Sequence, residues 1–288
     1  MPTLETHNGY ALWHYIPSIA AAIIFAILFF AVTSYNVFRM IKSRAWFCIP
    51  LCIGGLFEII GYCGRASAYD RTGQLLPYII QSIFILLGPI LMAATVYMVS
   101  GRIITRTNGE PHSFVPARWL TRIFVGSDVF SFLVQSSGAG LMVQSSSTNM
   151  GRILIVAGLV LQVVGFGIFV TTGALFYVRM RKVPTRASVE YGCWERVMRV
   201  SGAMSILLLI RFIFRVVEYA MGNDGYPLHH EWTLYVFDAV LIFSAMVLFG
   251  VYHPGRIRKT IDETSQEELV VRYGEAFDNK SQRGRLEG

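Results

Sequence analysis

Three ionisable residues, Arg211, Arg215 and Glu218, stand at i, i+4 and i+7 in the stretch IRFIFRVVEYAMG, which is otherwise almost wholly apolar. The same spacing recurs as Glu58, Tyr62 and Arg65 in FEIIGYCGR, and as Glu231, Tyr235 and Asp238 in EWTLYVFD. On a helix each set occupies one face. A carboxylate can pair with an ammonium, and the planar fork of arginine can hold a carboxylate or phosphate through two bonds. The chemistry within reach is recognition of a charged headgroup, or mutual pairing that fixes helix packing. Glu58, Glu218 and Asp238 against Arg65, Arg211 and Arg215 balance in charge, as a closed structural network would. Against a purely structural role, a buried pair often barely recovers its desolvation, and one charge at a bilayer centre costs about 2.5–3.5 kcal/mol on insertion scales. Both readings stay open.

A second polar set carries a single acid. Asp128, Ser131 and Gln135 lie roughly on one helical face of FVGSDVFSFLVQSSGAG, with Gln81 and Gln162 in neighbouring apolar runs. Gln81, Asp128, Gln135 and Gln162 form a candidate polar relay, with Asp128 its candidate proton site. The plainer alternative is an aspartate hydrogen-bonded to Gln81 or Gln162.

The elements that must carry these residues follow from composition. The chain is 54% hydrophobic and only 15% charged, where a soluble domain has about a quarter charged residues. Seven apolar runs, near 15–38, 45–66, 77–101, 121–144, 153–178, 198–220 and 233–252, reach the roughly 17–25 residues that span a bilayer as a helix. The expected fold is all-α: a seven-transmembrane-helix bundle over residues 15–252, preceded by an extracellular segment 1–14 and followed by a cytoplasmic tail 253–288. Twenty of the 25 Lys and Arg residues fall on one side, in the first, third and fifth connections and the tail, which puts the N-terminus outside and the C-terminus in the cytoplasm. The first 14 residues lack the basic start of a cleavable signal, so the first span is expected to insert as an anchor. Pro89 is expected to kink the third span and free a carbonyl beside a polar cavity. Gly158, Gly165 and Gly167 would let the fifth span approach its neighbours closely.

The formal charge of +7 is this topology signal, with attraction to anionic lipid as a by-product, and no nucleic-acid partner is implied. His7, His14, His112, His229, His230 and His253 do not converge, so the three-histidine site of a membrane zinc hydrolase is not expected and no metal is assigned. A serine nucleophile elbow and a phosphate-cradling glycine loop are missing as well, and no catalytic residue is assigned. Cys48, Cys52, Cys63 and Cys193 lack metal-ligand spacing. Asn279 begins an N-glycosylation triplet on the expected cytoplasmic side, and Thr264 to Glu267 reads as a capping box in the tail. The closing RGRLEG is left out of the functional reading.

These segments resemble the fungal RTA1-like proteins, the lipid-translocating exporter family of seven-span membrane proteins. The resemblance runs through FEIIGYCGR, YIIQSIFILLGPILMAATVYMVSGR, FVGSDVFSFLVQSSGAG, GRILIVAGLVLQ, RFIFRVVEYAMGNDG, EWTLYVFD and HPG, in order. It implies handling of sphingoid long-chain bases or amino-sterols, with resistance to them, or uptake of porphyrins. It carries over no catalytic residues. The expectation is a plasma-membrane translocase of amphipathic lipids that needs no cofactor. In that mechanism Glu58, Glu218 or Asp238 pairs with the ammonium of the substrate. One alternative is a lipid-sensing receptor that signals to a cytosolic partner through the basic third cytoplasmic loop. Another is a porphyrin- or haem-handling protein, with His229 and His230 near the outer cavity. Oligomeric state is not legible.

Overall fold

The computed structural model describes residues 17–69, 74–113, 115–142, 148–190, 194–222, 225–226 and 230–252. Among these residues there is no strand, and seven long helices carry the fold. They are α1 Ile19–Ser43, α2 Ile49–Ser67, α3 Leu75–Arg106, α4 Ala117–Met142, α5 Thr148–Lys182, α7 Trp194–Met221 and α8 Glu231–Val251; a short α6, Arg186–Glu190, joins α5 to α7. Their ends depart from the expected spans by no more than five residues. Charged turns account for part of this: Arg102 and Arg106 continue α3, and Arg179, Arg181 and Lys182 continue α5, beyond the apolar stretch. Ser18 caps α1 by accepting from the Ala21 amide, and Arg44, left-handed at φ 51°, closes it.

Six of the seven long helices are long and apolar enough to cross a membrane. The exception is α4, which has 26 residues but carries Ser127, Asp128, Ser131 and Gln135 through its middle. The outer surface is apolar: Ile27 and Phe30 of α1, Leu133 of α4, Ile168 of α5 and Ile206 of α7 are each more than half exposed. A surface of that kind suits lipid rather than water.

Each long helix packs on the next, α8 returns to α1, and α3 crosses the ring to touch α7. Small residues set the tightest of these contacts. On α2, a Cβ at Gly61 would come 2.6 Å from Ile85 Cγ1, and one at Gly54 would come 2.7 Å from the Gly88 carbonyl oxygen. On α5, a Cβ at Gly158 would come 2.7 Å from Gln135 Cγ, whereas one at Gly167 would meet open space. Gly158 therefore brings α5 onto α4, and Gly167 does not. Asn36 ties α1 to α8 by donating to the Met246 carbonyl at 3.2 Å.

Two helices are irregular. Pro89 lies inside α3, where it cannot donate to the Ile85 carbonyl four residues back. In α8 the six residues Tyr235–Val240 form a π-helical turn, a feature that the sequence pattern did not reveal. Both irregularities lie against the same side chain.

Candidate functional site

That side chain is Arg211 of α7, which is completely buried. Its Nε donates to Asp238 Oδ1 of α8 at 2.8 Å, and its Nη2 donates to the Ile85 carbonyl of α3 at 2.9 Å. The carbonyl that Pro89 leaves free thus receives a guanidinium, and the π turn carries the carboxylate on the other side. One turn on, Arg215 donates through Nη2 to Asp238 Oδ2 and through Nη1 to Glu218 Oε2, the latter at 2.9 Å. Asp238 is therefore held by two arginines and Glu218 by one. Charge-assisted bonds of this kind have the geometric specificity to fix three helices at one point.

A second group forms at the ends where α2 finishes and α8 begins. Arg65 Nη2 bonds Glu231 Oε1 at 2.7 Å, and Arg65 Nε donates to the Tyr235 hydroxyl at 3.1 Å. Arg65 Nη1 also reaches Gln81 Oε1 of α3, at 3.4 Å. The backbone amide of Ser18 donates to both oxygens of Glu231, at 2.9 and 3.1 Å, so α1 is tied in as well. The sequence reading put Glu231 on the face of Tyr235 and Asp238 but left it out of the charge count, although it is the acid that Arg65 holds.

Between the two groups lie Glu58 and Tyr62 of α2, only 1% and 0% exposed. The Glu58 carboxylate rests on the backbone of α3, where a Cβ at Gly88 would stand 2.5 Å from its Oε1. It is within electrostatic reach of Asp238, Arg211 and Arg215. Its Oε1 nevertheless has no hydrogen-bond partner among the described residues, and the same holds for the Tyr62 hydroxyl, Arg211 Nη1 and Arg215 Nε. Phe25 and Phe29 of α1 stack on the Tyr62 ring at 5.9 and 5.5 Å, and Phe25 stacks on Tyr235 at 5.1 Å. Among the described residues, and counting the part-exposed Glu231, the network holds four carboxylates, Glu58, Glu218, Glu231 and Asp238, against three guanidiniums, Arg65, Arg211 and Arg215. These described residues are short of one positive charge, and Glu58 is the acid among them to which no arginine is bonded.

The second polar set is separate. The Tyr97 hydroxyl of α3 donates to Asp128 Oδ2 at 2.8 Å, and Gln135 Nε2 donates to Gln162 Oε1 at 3.1 Å. Ser131 Oγ and Gln162 Nε2 are buried without a partner among the described residues. Rings close around this ladder: Phe169, Phe124 and Phe166 lie 4.5, 5.5 and 5.9 Å from the Tyr97 ring. Gln81, read with Asp128 in the sequence, stands instead beside Arg65.

Comparison with known proteins gives these residues a family. The model of the family described as "RTA1 like protein" matches residues 51–260, a stretch that holds all the charged residues of the network and the whole ladder. The chain belongs to that family. It is 36% identical to Protein RTA1 of Saccharomyces cerevisiae, with 92% of each chain covered. It is 34% identical to Protoporphyrin uptake protein 1 of the same organism, over 85% of this chain and 93% of the relative. To a Saccharomyces cerevisiae protein named Sphingoid long-chain base transporter it is 24% identical, over 83% of this chain and 72% of the relative. No solved structure matches.

In this RTA1-like chain the remaining sequence candidates are dispersed. His230 stacks on Tyr226, with ring centroids 3.8 Å apart, and its Nδ1 lies 3.0 Å from the Tyr226 carbonyl oxygen. Among the described residues, no three His, Cys, Asp or Glu side chains converge on a metal-binding arrangement. His7, His14, His229, His253, Cys193, the N-terminal segment 1–14, the capping box, the Asn279 triplet and the tail lie outside the described residues.

Proposed function

We propose that this protein is a plasma-membrane translocase of amphipathic, amine-bearing lipids such as sphingoid long-chain bases or amino-sterols. It is not an enzyme. In this reading the chain crosses the bilayer seven times, α4 included. The N-terminus is outside and the basic ends of α3 and α5 lie in the cytoplasm. The network then occupies the outer half of the bilayer.

The observation that carries the reading is the surplus carboxylate. Asp238, Glu218 and Glu231 are each bonded to an arginine, whereas Arg211 and Arg215 lie within electrostatic reach of Glu58 without bonding it, and its Oε1 is unbonded among the described residues. A substrate ammonium supplies the missing charge, and the stacked rings of Phe25, Phe29 and Tyr62 give it an apolar wall. Further along α3, α7 and α8, the side chains of Val96, Val99, Val197, Met204 and Phe249 line an apolar recess.

The test is transbilayer movement of a labelled sphingoid base in proteoliposomes of the purified protein, against empty liposomes and the Glu58→Gln variant. Protein-dependent movement that the variant loses is expected. Saturable binding without movement would replace transport by lipid sensing, with a cytosolic partner to be sought. Uptake of porphyrins is a second reading, favoured by the relative named for protoporphyrin uptake. A Soret band that shifts on addition of the purified protein is its signature. The negative surplus of the network favours a cationic headgroup over the dianion of a dicarboxylic porphyrin.

A further inference from the structure

We infer that Glu58 is an exchange site for a single monovalent cation, occupied alternately by a proton and by the ammonium head of the substrate, so that transport is electroneutral exchange. This rests on the transport reading above and adds its energy source.

The argument begins with charge and burial. Among the described residues Arg65 pairs with the part-exposed Glu231 at the rim, which leaves Glu58, Glu218 and Asp238 against Arg211 and Arg215, so this inner group is neutral only when one more positive charge is present. An uncompensated charge inside a membrane bundle is expensive, and ionisable residues there pair or neutralise. Glu58 is the acid left to take that charge, because its Oε1 has no hydrogen-bond partner among the described residues while Glu218, Glu231 and Asp238 are each bonded to an arginine. A proton and an ammonium each bring one charge to the same carboxylate, so each excludes the other. Written out, the substrate ammonium plus the protonated Glu58 carboxyl gives the Glu58 carboxylate paired with the ammonium plus one released proton, and charge is the same on both sides.

The surroundings of Glu58 make the exchange obligatory. Its own helix brings Tyr62 and Arg65, and Arg65 is occupied by Glu231. From α3 comes the backbone at Gly88, from α7 come Arg211 and Arg215, the latter carrying Glu218, and from α8 comes Asp238, while Tyr235 and the Phe25 and Phe29 rings of α1 stack on Tyr62. Arg211 Nη1 and Arg215 Nε are buried donors without a partner among the described residues. A bare Glu58 carboxylate draws on those donors. That pull acts on the guanidinium that joins α7 to the Ile85 carbonyl of α3 and to the π turn of α8. The joint of three helices is therefore at rest only when a cation sits on Glu58, and an empty carrier is held back from crossing.

A primary amine can cross a bilayer after losing its own proton, so the decisive probe is a permanently charged one, a fluorescent N,N,N-trimethyl sphingoid base. In proteoliposomes with a pH dye in the lumen, an imposed pH gradient should drive the probe, with about one proton countermoving per probe molecule. A potassium–valinomycin potential should not drive it. Glu58→Gln should lose the coupling, and Asp128→Asn should keep it. Movement driven by the potential without protons overturns the inference in favour of simple passage of the cation. Dependence on sodium gives the place of the proton to a metal ion, and loss of coupling in Asp128→Asn alone moves the proton site to the ladder. If no labelled base moves at all, the transport reading fails, and binding in detergent decides the exchange site separately. Release of about one proton per bound probe, with affinity rising about tenfold per pH unit and neither effect in Glu58→Gln, upholds it. Binding without proton release, or no binding of the probe, ends it.

Discussion

The network around Arg211 and the ladder around Asp128 lie within one bundle, yet they are made of different chemistry. Seven charged side chains build the network, and most of its bonds join helices far apart in sequence: Arg65 to Glu231 and Arg211 to Asp238. The ladder has one acid, one phenol and two amides on the neighbouring helices α3, α4 and α5. No ion pair holds it among the described residues. In the network, removing one partner strands a charge, while in the amide pair of the ladder it strands a neutral dipole. A charge-rich site that falls one cation short is suited to capturing one, whereas the ladder has little charge with which to attract anything.

This contrast can be broken at several strengths. Arg211→Ala should have the largest effect: it leaves Asp238 with one arginine and the Ile85 carbonyl with none, and removing one member of a buried pair costs about 3–5 kcal/mol. Loss of the monodisperse peak on size exclusion in detergent, or a steep fall in melting temperature, would register it; a wild-type melt would mean that the network holds nothing together. Asp128→Asn keeps an oxygen for the Tyr97 hydroxyl, so the loss should stay near 1 kcal/mol, read as a shift of about 2–4 °C in the same melt. A collapse as large as that of Arg211→Ala would make the two regions equals. Gln162→Leu should be smallest, since interhelical hydrogen bonds in membranes average about 0.6 kcal/mol. Its melt should fall within about 2 °C of the wild type.

Periodicity shows which residues share a face of one helix, and that much was legible: the faces of Arg211, Arg215 and Glu218 and of Glu231, Tyr235 and Asp238 are read directly from spacing. Periodicity says nothing of how a helix is rotated against its neighbours. Gln81 therefore reads as well beside Asp128 as beside Arg65, and only the packing of α2 on α3 brings it to Arg65. The gap left by Pro89 follows from its missing donor, but the guanidinium that fills it lies more than a hundred residues away. The π turn has no signature in the alternation of apolar residues, and the ring wall from α1 lies in a stretch that reads simply as greasy. Glu231 stands at the very end of its apolar run, and spacing alone does not show that Arg65 of α2 reaches it.

The separation of Arg65 from Glu231 also bears on how the chain is made. The two residues are 166 positions apart, and at ribosomal speed the second appears roughly ten to thirty seconds after the first. Through most of that interval α2 carries Glu58 and Arg65 before α7 has been made, and through all of it before α8. The nascent protein is thus an incomplete set of charges until its last helix leaves the ribosome, and a chain truncated before α8 presents quality control with an arginine that has lost its acid. Supplying α8 as a separate polypeptide, carrying Glu231 and Asp238 back to their arginines, is the natural rescue for such a fragment.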